Sequence, residues 1–157
     1  MCSSICGKGT TIILVEADLL PEAARIHSVS WKESHRQFCS QDFIELHSAE
    51  HMEKYLAGEM ARGKRLFMLR HGHFVGIESV KDSLIENLYV LPEEQRKGYG
   101  TELLLFAVEQ CKGTPTLWIL DHNEKAYRFH VNNGFALSGK RKETAAGTFE
   151  MEILRNA

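Results

Sequence analysis

Two glycines and two cations stand close together in residues 95–101, where an apolar strand pattern gives way to a helical one. Backbone N–H groups at the first turn of a helix point outward, and the helix dipole favours negative charge there. Gly98 and Gly100 lack the Cβ atoms that would keep a phosphate away from those amides, while Arg96 and Lys97 add positive charge. The segment therefore predicts a binding site for a phosphate-bearing ligand.

The spacing of these glycines excludes two common kinds of nucleotide site. A dinucleotide fingerprint, G-x-G-x-x-G, would need glycine at position 103, where the chain has Leu103. The chain also contains no G-x-x-x-x-G-K-[ST] run, which a nucleoside triphosphate loop of that type needs. A phosphate ligand of a different kind is indicated.

The longer segment 90–100 reads V-x-P-x-x-Q-x-x-G-x-G and resembles the signature of the GNAT superfamily of acyl-CoA N-acyltransferases. A second stretch supports the resemblance. Asn123-Glu124-Lys125-Ala126 leads to Phe129-His130 and then to Gly134-Phe135, as the family's N-x-x-A helix leads to an aromatic pair and G-F. Both motifs occur in order and at the family's spacing, and the resemblance in element order covers about residues 12–154.

The resemblance implies that acetyl-CoA, or a close acyl-CoA, lies in a cleft where two adjacent strands separate. Its pantetheine arm would bond to backbone at residues 88–90, and its pyrophosphate to the amides of residues 96–101. Asn123 would cap its helix and also bond the pantetheine arm. The implied cofactor-binding residues are Leu88, Tyr89, Val90, Gln95, Arg96, Lys97, Gly98, Tyr99, Gly100, Thr101, Asn123, Ala126 and Phe129.

The implied reaction is direct attack of a primary amine on the thioester within a ternary complex. Because an amine is mostly ammonium at neutral pH, a carboxylate should help to remove its proton, directly or through water. Glu86 is the candidate base, since strand alternation places it on one face with Leu88 and Val90; the alternative is a solvent-exposed strand glutamate. A backbone N–H near Val90 would stabilise the oxyanion.

His130 is the main departure from the family pattern. The family usually has a tyrosine seven residues after the helix asparagine, where it protonates the departing sulfur, but here that position is His130. An unperturbed histidine is protonated in only roughly a quarter of molecules at pH 7. His130 is then an acid that fades as pH rises, a neutral hydrogen-bond donor, or a helix-surface residue without a role. Tyr127, one turn earlier on the same side, is a second candidate acid, with packing as its alternative role.

Around these motifs the sequence predicts a single domain over residues 11–157, preceded by a flexible tail over residues 1–10. Periodicity predicts strands at residues 12–16, 65–70, 73–79, 84–90, 116–120, 135–142 and 148–154. It predicts helices beginning near Asp18, ending at Gly63, and spanning residues 99–111 and 123–132, with residues 37–48 unassigned. This order favours an α/β (α+β) fold with a GNAT-like mixed, mostly antiparallel sheet of about six to seven strands and helices on both faces.

Charge and hydropathy exclude several other classes of protein. A formal net charge of -2 and a pI near 6.4 give no field that would hold nucleic acid. The apolar run at residues 11–15 is too short for a signal peptide or a membrane span, so a cytoplasmic protein is expected. Neither the histidines nor the cysteines have metal-ligand spacing, so no metal is expected and the cysteines are interpreted as reduced thiols.

The acceptor is left open by the sequence: a small amine, an amino acid, an antibiotic or a protein. His27 and Trp31 fall near the expected acceptor wall, although a tryptophan at helical spacing is more often part of a core. The basic run 140–142 is interpreted as a solvated strand face. A catalytically silent acyl-CoA-binding module is the second hypothesis, because the usual tyrosine is replaced, and a homodimer is left open.

Overall fold

A computed structural model describes residues 3–6, 9–37, 39–145 and 147–156 of the chain. The strands, in chain order, are β1 (Ser3–Cys6), β2 (Thr10–Leu14), β3 (Arg65–His71), β4 (His73–Lys81), β5 (Leu84–Val90), β6 (Thr116–Leu120), β7 (Ala136–Ala145) and β8 (Thr148–Leu154). The helices are α1 (Leu20–His35), α2 (Gln41–Glu45), α3 (Ala49–Ala61), α4 (Tyr99–Gln110) and α5 (Glu124–Asn132). Short 3-10 turns at Ala17–Leu19 and Pro92–Glu94 precede α1 and α4.

The strands form one eight-stranded sheet in the order β1-β2-β3-β4-β5-β6-β8-β7. Neighbouring strands are antiparallel except β5 and β6, which are parallel. The mixed, mostly antiparallel sheet predicted from the sequence is thereby confirmed. The strand beyond the predicted number is β1, which pairs with β2 inside the segment expected to be a flexible tail.

Helices cover both faces of the sheet, as predicted. On one face, α1 and α3 bury apolar side chains such as Ile26 and Leu56 against Met68 of β3. On the other face, α4 packs through Leu103 onto β4 at Gly76, where an added Cβ would lie 2.8 Å from Leu103 Cδ1. Only glycine lets the helix approach this closely, so Gly76 fixes the depth of α4 on the sheet.

Side-chain caps set the starts of two helices between β2 and β3. Ser48 Oγ accepts a hydrogen bond from the His51 amide at 3.1 Å and begins α3. Ser40 Oγ accepts from the Phe43 amide at 3.3 Å and begins α2, which lies in the stretch that the sequence left unassigned. Gly63, at φ 97°, follows the end of α3 as predicted. In the described ranges no helix is long and apolar enough to cross a bilayer.

Candidate functional site

A separation between β5 and β6 opens the sheet beside residues 86–90. Among the residues that the structure describes, Leu84 and Thr116 are the only pair that joins the two strands. Further along, β5 and β6 diverge, so the β6 side of residues 86–90 faces a gap rather than a neighbouring strand. This gap coincides with the cleft that the family resemblance implies.

A β-bulge at Asn87 bends β5 next to the gap. Ser79 of β4 pairs with Glu86, whereas Ile77 pairs with Tyr89, so β5 has one residue more than β4 between these pairs. Asn87 takes a left-handed φ of 56°, a conformation that asparagine adopts more readily than most residues. A bulge of this kind increases local twist and re-aims the side chains that follow it.

The Asn87 side chain ties the bulge to β4 and to α1. Its Nδ2 donates to Ser79 Oγ at 2.9 Å, and its Oδ1 lies 3.0 Å from His27 Nε2. His27 therefore carries its proton on Nε2 and donates to the amide oxygen. Burial lowers the pKa of His27 to about 4, so the imidazole is neutral at pH 7.

The bulge overturns the predicted orientation of Glu86. Strict alternation would place Glu86 on one face with Leu88 and Val90. Leu88 and Val90 pack against the α4 side of the core, but the extra residue resets the alternation between them and Glu86. Glu86 instead shares the α1–α3 side with Tyr89, across the sheet from Leu88 and Val90.

Lys64 compensates the charge of Glu86. The Lys64 Nζ donates a short hydrogen bond to Glu86 Oε1 and lies 2.8 Å from Glu59 Oε2. Burial alone would lower the pKa of Lys64, but its hydrogen bonds to Glu59 and Glu86 outweigh that effect and raise it. The Glu86 side chain is 39% exposed and lines a cavity of about 190 Å³ together with Trp118, Lys142 and Glu150.

The turn before α4 has the backbone of an anion site. Arg96 and Gly98 take left-handed φ values of 66° and 90°, and Gly98 is the N-cap of α4. A Cβ added to Gly98 would meet no atom within 4 Å, so the space above the turn is open. The Glu102 amide bonds to the Gly98 carbonyl at 3.1 Å, while the amides of residues 99–101 precede the first intrahelical bonds. These amides are the donors that the sequence motif predicted for a phosphate.

Several side chains of this turn face the protein. Gln95 Nε2 donates to the Val90 carbonyl at 3.2 Å and holds the turn against the end of β5. The Tyr99 side chain is buried, and its hydroxyl lies 2.5 Å from His71 Nδ1. Lys97 Nζ lies 2.7 Å from Glu94 Oε1 and is thereby paired. For Tyr99, the backbone amide is then the group that is left to meet a ligand, whereas the Gln95 amide already donates to the Pro92 carbonyl at 3.4 Å.

Helix α5 lies against the first turn of α4. Asn123 is its N-cap, and Asn123 Oδ1 accepts from the Ala126 amide at 3.1 Å. The Phe129 ring covers Gly100, whose added Cβ would lie 3.4 Å from Phe129 Cζ. Ala126 and Phe129 thus pack against the same core cluster as Leu103 of α4, and Asn123 stands at the start of their helix.

His130 is buried, with 7% of its surface exposed, so the hypothesis of a helix-surface residue is wrong. Its ring lies between those of Phe129 and Phe135, at centroid distances of 5.0 Å and 5.6 Å. Burial lowers the pKa of His130 to about 4, and His130 Nδ1 is buried without a hydrogen-bond partner among the described residues. An imidazolium is therefore rare here at pH 7. Tyr127 is half-buried and packs against the same core.

A second cavity, of about 270 Å³, lies between α1, α3 and β5 and was not predicted as a site. Its ring-bearing lining residues are His27, Trp31, His47, His51, Tyr55 and Tyr89. His27 and Trp31 stand four residues apart on α1, and this polar–aromatic stripe was the one sequence signal for the cavity. Lys142 is exposed, as expected for a solvated strand face, and its Nζ lies 4.2 Å from the centre of the Trp118 ring at the smaller cavity.

The comparisons with known proteins agree with this geometry. The family described as the acetyltransferase (GNAT) family matches residues 20–135. A search of curated protein sequences finds no match. A GCN5-related N-acetyltransferase from Rhodopseudomonas palustris has a similar structure, with TM-score 0.75 and 21% identity over 100% of this chain and 99% of that one.

Two further similar structures hold a coenzyme. PaiA N-acetyltransferase from Thermoplasma acidophilum, in complex with coenzyme A, has TM-score 0.69 and 21% identity over 91% of this chain and 97% of that one. YncA from Salmonella typhimurium, with its cofactor acetyl-CoA, has TM-score 0.65 and 16% identity over 94% and 93%. At these identities the likeness shows the fold, whereas the family match spans most of the sequence. The chain belongs to the GNAT family of acetyltransferases.

Proposed function

We propose that this protein transfers the acetyl group of acetyl-CoA to a primary amine by direct attack in a ternary complex. The observation that carries the proposal is the conjunction of an open anion-binding turn at the start of α4 with the gap between β5 and β6. A pyrophosphate at the turn and an extended arm in the gap would bring a thioester to the bulge at Asn87. The coenzyme complexes of the two structural neighbours support this reading.

We assign the coenzyme contacts mainly to backbone. The amides of residues 96–101 would bind the pyrophosphate, and the backbone groups of Leu88, Tyr89 and Val90 would bind the pantetheine arm, with the Val90 N–H kept for the reacting carbonyl. The exposed Arg96 side chain adds positive charge at the phosphates, while Phe129 and Ala126 bound the arm on the α5 side. Asn123 caps α5, and its amide nitrogen is the group that would reach the arm.

Glu86 is the proposed base. Lys64 holds Oε1, and we assign the proton-accepting role to Oε2, directly or through one water. Removal of the ammonium proton leaves the amine lone pair free to form the new C–N bond. The Val90 amide would donate to the oxyanion that develops on the thioester carbonyl.

The leaving thiolate requires less help than the attacking amine, because a thiol has a pKa of about 8.5. We propose that His130 acts as a neutral donor through Nε2, since its buried Nδ1 has the poorer surroundings for an N–H group. Tyr127 is the alternative donor, from the preceding turn of α5. Cys39 and Cys111 are free thiols, which fits the reducing cytoplasm that we propose as the location.

A silent acyl-CoA-binding module is the second candidate, favoured by the apolar burial of His130 where the family has its acid. One assay distinguishes the two functions: release of free thiol from acetyl-CoA is measured with and without a panel of primary amines. An acetyltransferase releases thiol in proportion to the amine added. Coenzyme binding without amine-dependent thiol release would establish the silent module instead.

A further inference from the structure

The two cavities on the α1–α3 side of the sheet meet at β5, where both are lined by Asn87 and Tyr89. They differ in chemistry. We name the larger the ring cavity and the smaller, lined by Glu86, the carboxylate cavity. From this juxtaposition we infer that the acceptor is a small primary amine whose short linker carries an aromatic ring, with the ring in the ring cavity and the nitrogen at the carboxylate cavity. The inference rests on the proposed acetyl transfer.

The ring cavity presents aromatic edges to an occupant. His27 packs between Tyr55 and Tyr89, at centroid distances of 5.9 Å and 5.0 Å and with its plane tilted to both. Trp31 is stacked on both faces, by His35 at 4.0 Å and His47 at 3.5 Å. Its edge is therefore the part that remains for a ligand. Edge-to-face contact is a favoured geometry between aromatic rings, and it selects a flat ring over a saturated one of similar size.

The ring cavity has no carboxylate among its lining residues, all of which lie in the described part of the chain. Burial lowers the pKa of His27 to about 4. The pKa of His47 is also lowered, mainly by burial and further by the nearby positive charges of His51 and Lys32. At neutral pH the uncharged imidazole therefore predominates at both positions. A second ammonium on the acceptor would therefore lack a counter-charge there, which disfavours a linear diamine.

The carboxylate cavity has the complementary chemistry. Glu86 and Glu150 supply carboxylates, while Lys142 is turned onto the Trp118 ring at 4.2 Å. An ammonium arriving there meets opposite charge next to the proposed base. Because Asn87 and Tyr89 line both cavities, a linker of only a few atoms joins the two ends of the acceptor.

The volume limits the size of the ring. At about 270 Å³ the ring cavity lies just below the roughly 300–1,000 Å³ of sites for drug-sized ligands. One ring with a small substituent fits this space. A free arylalkylamine and an aromatic residue at a peptide N-terminus share this chemistry, and the assay below includes both.

The test compares acceptors that differ only in the ring. Initial rates of thiol release are measured with 2-phenylethylamine, 2-cyclohexylethylamine, 1,4-diaminobutane and a tripeptide that begins with phenylalanine. We expect kcat/KM for the phenyl amine to exceed that for the cyclohexyl amine by about ten-fold, in keeping with the strength of aromatic pairs in buried sites. The tripeptide distinguishes a free amine from a peptide acceptor. Equal values for the two ring amines, or a preference for the diamine, would overturn the inference.

Tyr55→Leu removes one ring from the lining and keeps an apolar side chain. We expect it to reduce the phenyl-to-cyclohexyl ratio at least about three-fold, since one aromatic pair is lost. Phe43→Leu is the matched control, because Phe43 belongs to the same aromatic cluster and is 46% exposed, but does not line the cavity. An equal change in both variants would contradict the assignment of Tyr55.

Calorimetric titration separates failure of this inference from failure of the proposed function. Each ring amine is titrated into the protein saturated with coenzyme A. If no amine is acetylated but the phenyl amine binds about ten-fold more tightly than the cyclohexyl amine, the acetyl transfer fails and the ring preference stands. Equal affinities, or no binding of either amine, would overturn the inference whatever the thiol assay shows.

Discussion

Glu86 is both paired with a cation and accessible to a substrate. Lys64 binds one of its carboxylate oxygens, and the side chain is 39% exposed beside the gap in the sheet. Glu86→Gln keeps the shape of the side chain and removes the proton acceptor. We expect kcat/KM for the amine to fall by roughly 10²–10⁴, the usual contribution of a general base, with acetyl-CoA affinity unchanged. Lys64 keeps its partner Glu59 at 2.8 Å, so the fold should persist.

The control for this variant is Glu53→Gln, which changes a half-buried carboxylate of α3 that lines neither cavity. Both variants are assayed for amine-dependent thiol release and titrated with acetyl-CoA. An activity of Glu86→Gln equal to that of Glu53→Gln would remove Glu86 from the mechanism.

The low pKa of His130 predicts how turnover depends on pH. With a pKa near 4 the imidazolium is present in about one molecule in a thousand at pH 7, so it cannot govern turnover between pH 6 and 9. We expect His130→Phe to lower kcat by one constant factor across this range, measured at saturating acetyl-CoA. A limb near pH 6.5 that disappears in His130→Phe would show instead that a protonated histidine is the acid.

At this scale the sequence predicted positions better than orientations. The spacing from Asn123 identified His130, but the burial of its ring depends on Phe135, which belongs to no helix. Glu86 was predicted to share a face of the sheet with Leu88 and Val90, because alternation was assumed to hold along the whole strand. The neighbouring residues give no signal that predicts the bulge at Asn87. The ring cavity is lined by residues of α1, α3 and β5, among others. The periodicity of a single element cannot predict which other elements pack beside it.

The bulged strand β5 is the element that joins the two halves of the site. Asn87→Gly keeps the left-handed backbone and loses the bonds to His27 and Ser79, whereas Asn87→Ala also strains the backbone at φ 56°. We expect the free energy of unfolding, measured in urea, to fall in the order wild type, Asn87→Gly, Asn87→Ala, with the last two separated by about 1 kcal/mol. If alanine is as stable as glycine there, the bulge is not formed as described.

Helices and strands with clear local signals were predicted to within about three residues at their ends. Gly63 follows the end of α3 and Asn123 begins α5, both where expected. Two elements were not predicted from the sequence, and both are short. β1 depends on pairing with β2, and α2 spans only five residues behind a single serine cap. Neither is long enough to establish a period of its own.

Over the whole molecule, stability depends on a carboxyl inside the sheet. Glu78 is fully buried, and neither of its carboxyl oxygens has a partner among the described residues. Burial raises the pKa of Glu78 well above its ordinary 4.5. The folded state therefore keeps a proton that the unfolded state loses above that pH, so Glu78 lowers the free energy of unfolding as pH rises toward the folded pKa.

Glu78→Gln removes this titration and should stabilise the protein at neutral and alkaline pH. The gain should be small at pH 4 and grow with a slope of up to about 1.4 kcal/mol per pH unit. His27 and His130 act in the opposite sense between pH 4 and 6.5, since their pKa values are lowered to about 4. They are common to both proteins, so the difference isolates Glu78. The free energy of unfolding of both proteins is measured in urea between pH 4 and 8. A difference between the wild type and Glu78→Gln that does not change with pH would contradict a destabilisation caused by ionisation of Glu78.

The central claim is that the turn before α4 holds acetyl-CoA, and calorimetric titration of two glycine variants tests it most directly. Gly98→Trp fills the open space above the turn, while Gly72→Trp places the same side chain on the same left-handed backbone, φ 77° against 90°, at the β3–β4 turn. We predict that Gly72→Trp binds acetyl-CoA like the wild type, and that Gly98→Trp loses at least about a hundred-fold in affinity, since its side chain blocks the amide donors. Equal binding by the two variants would contradict the account.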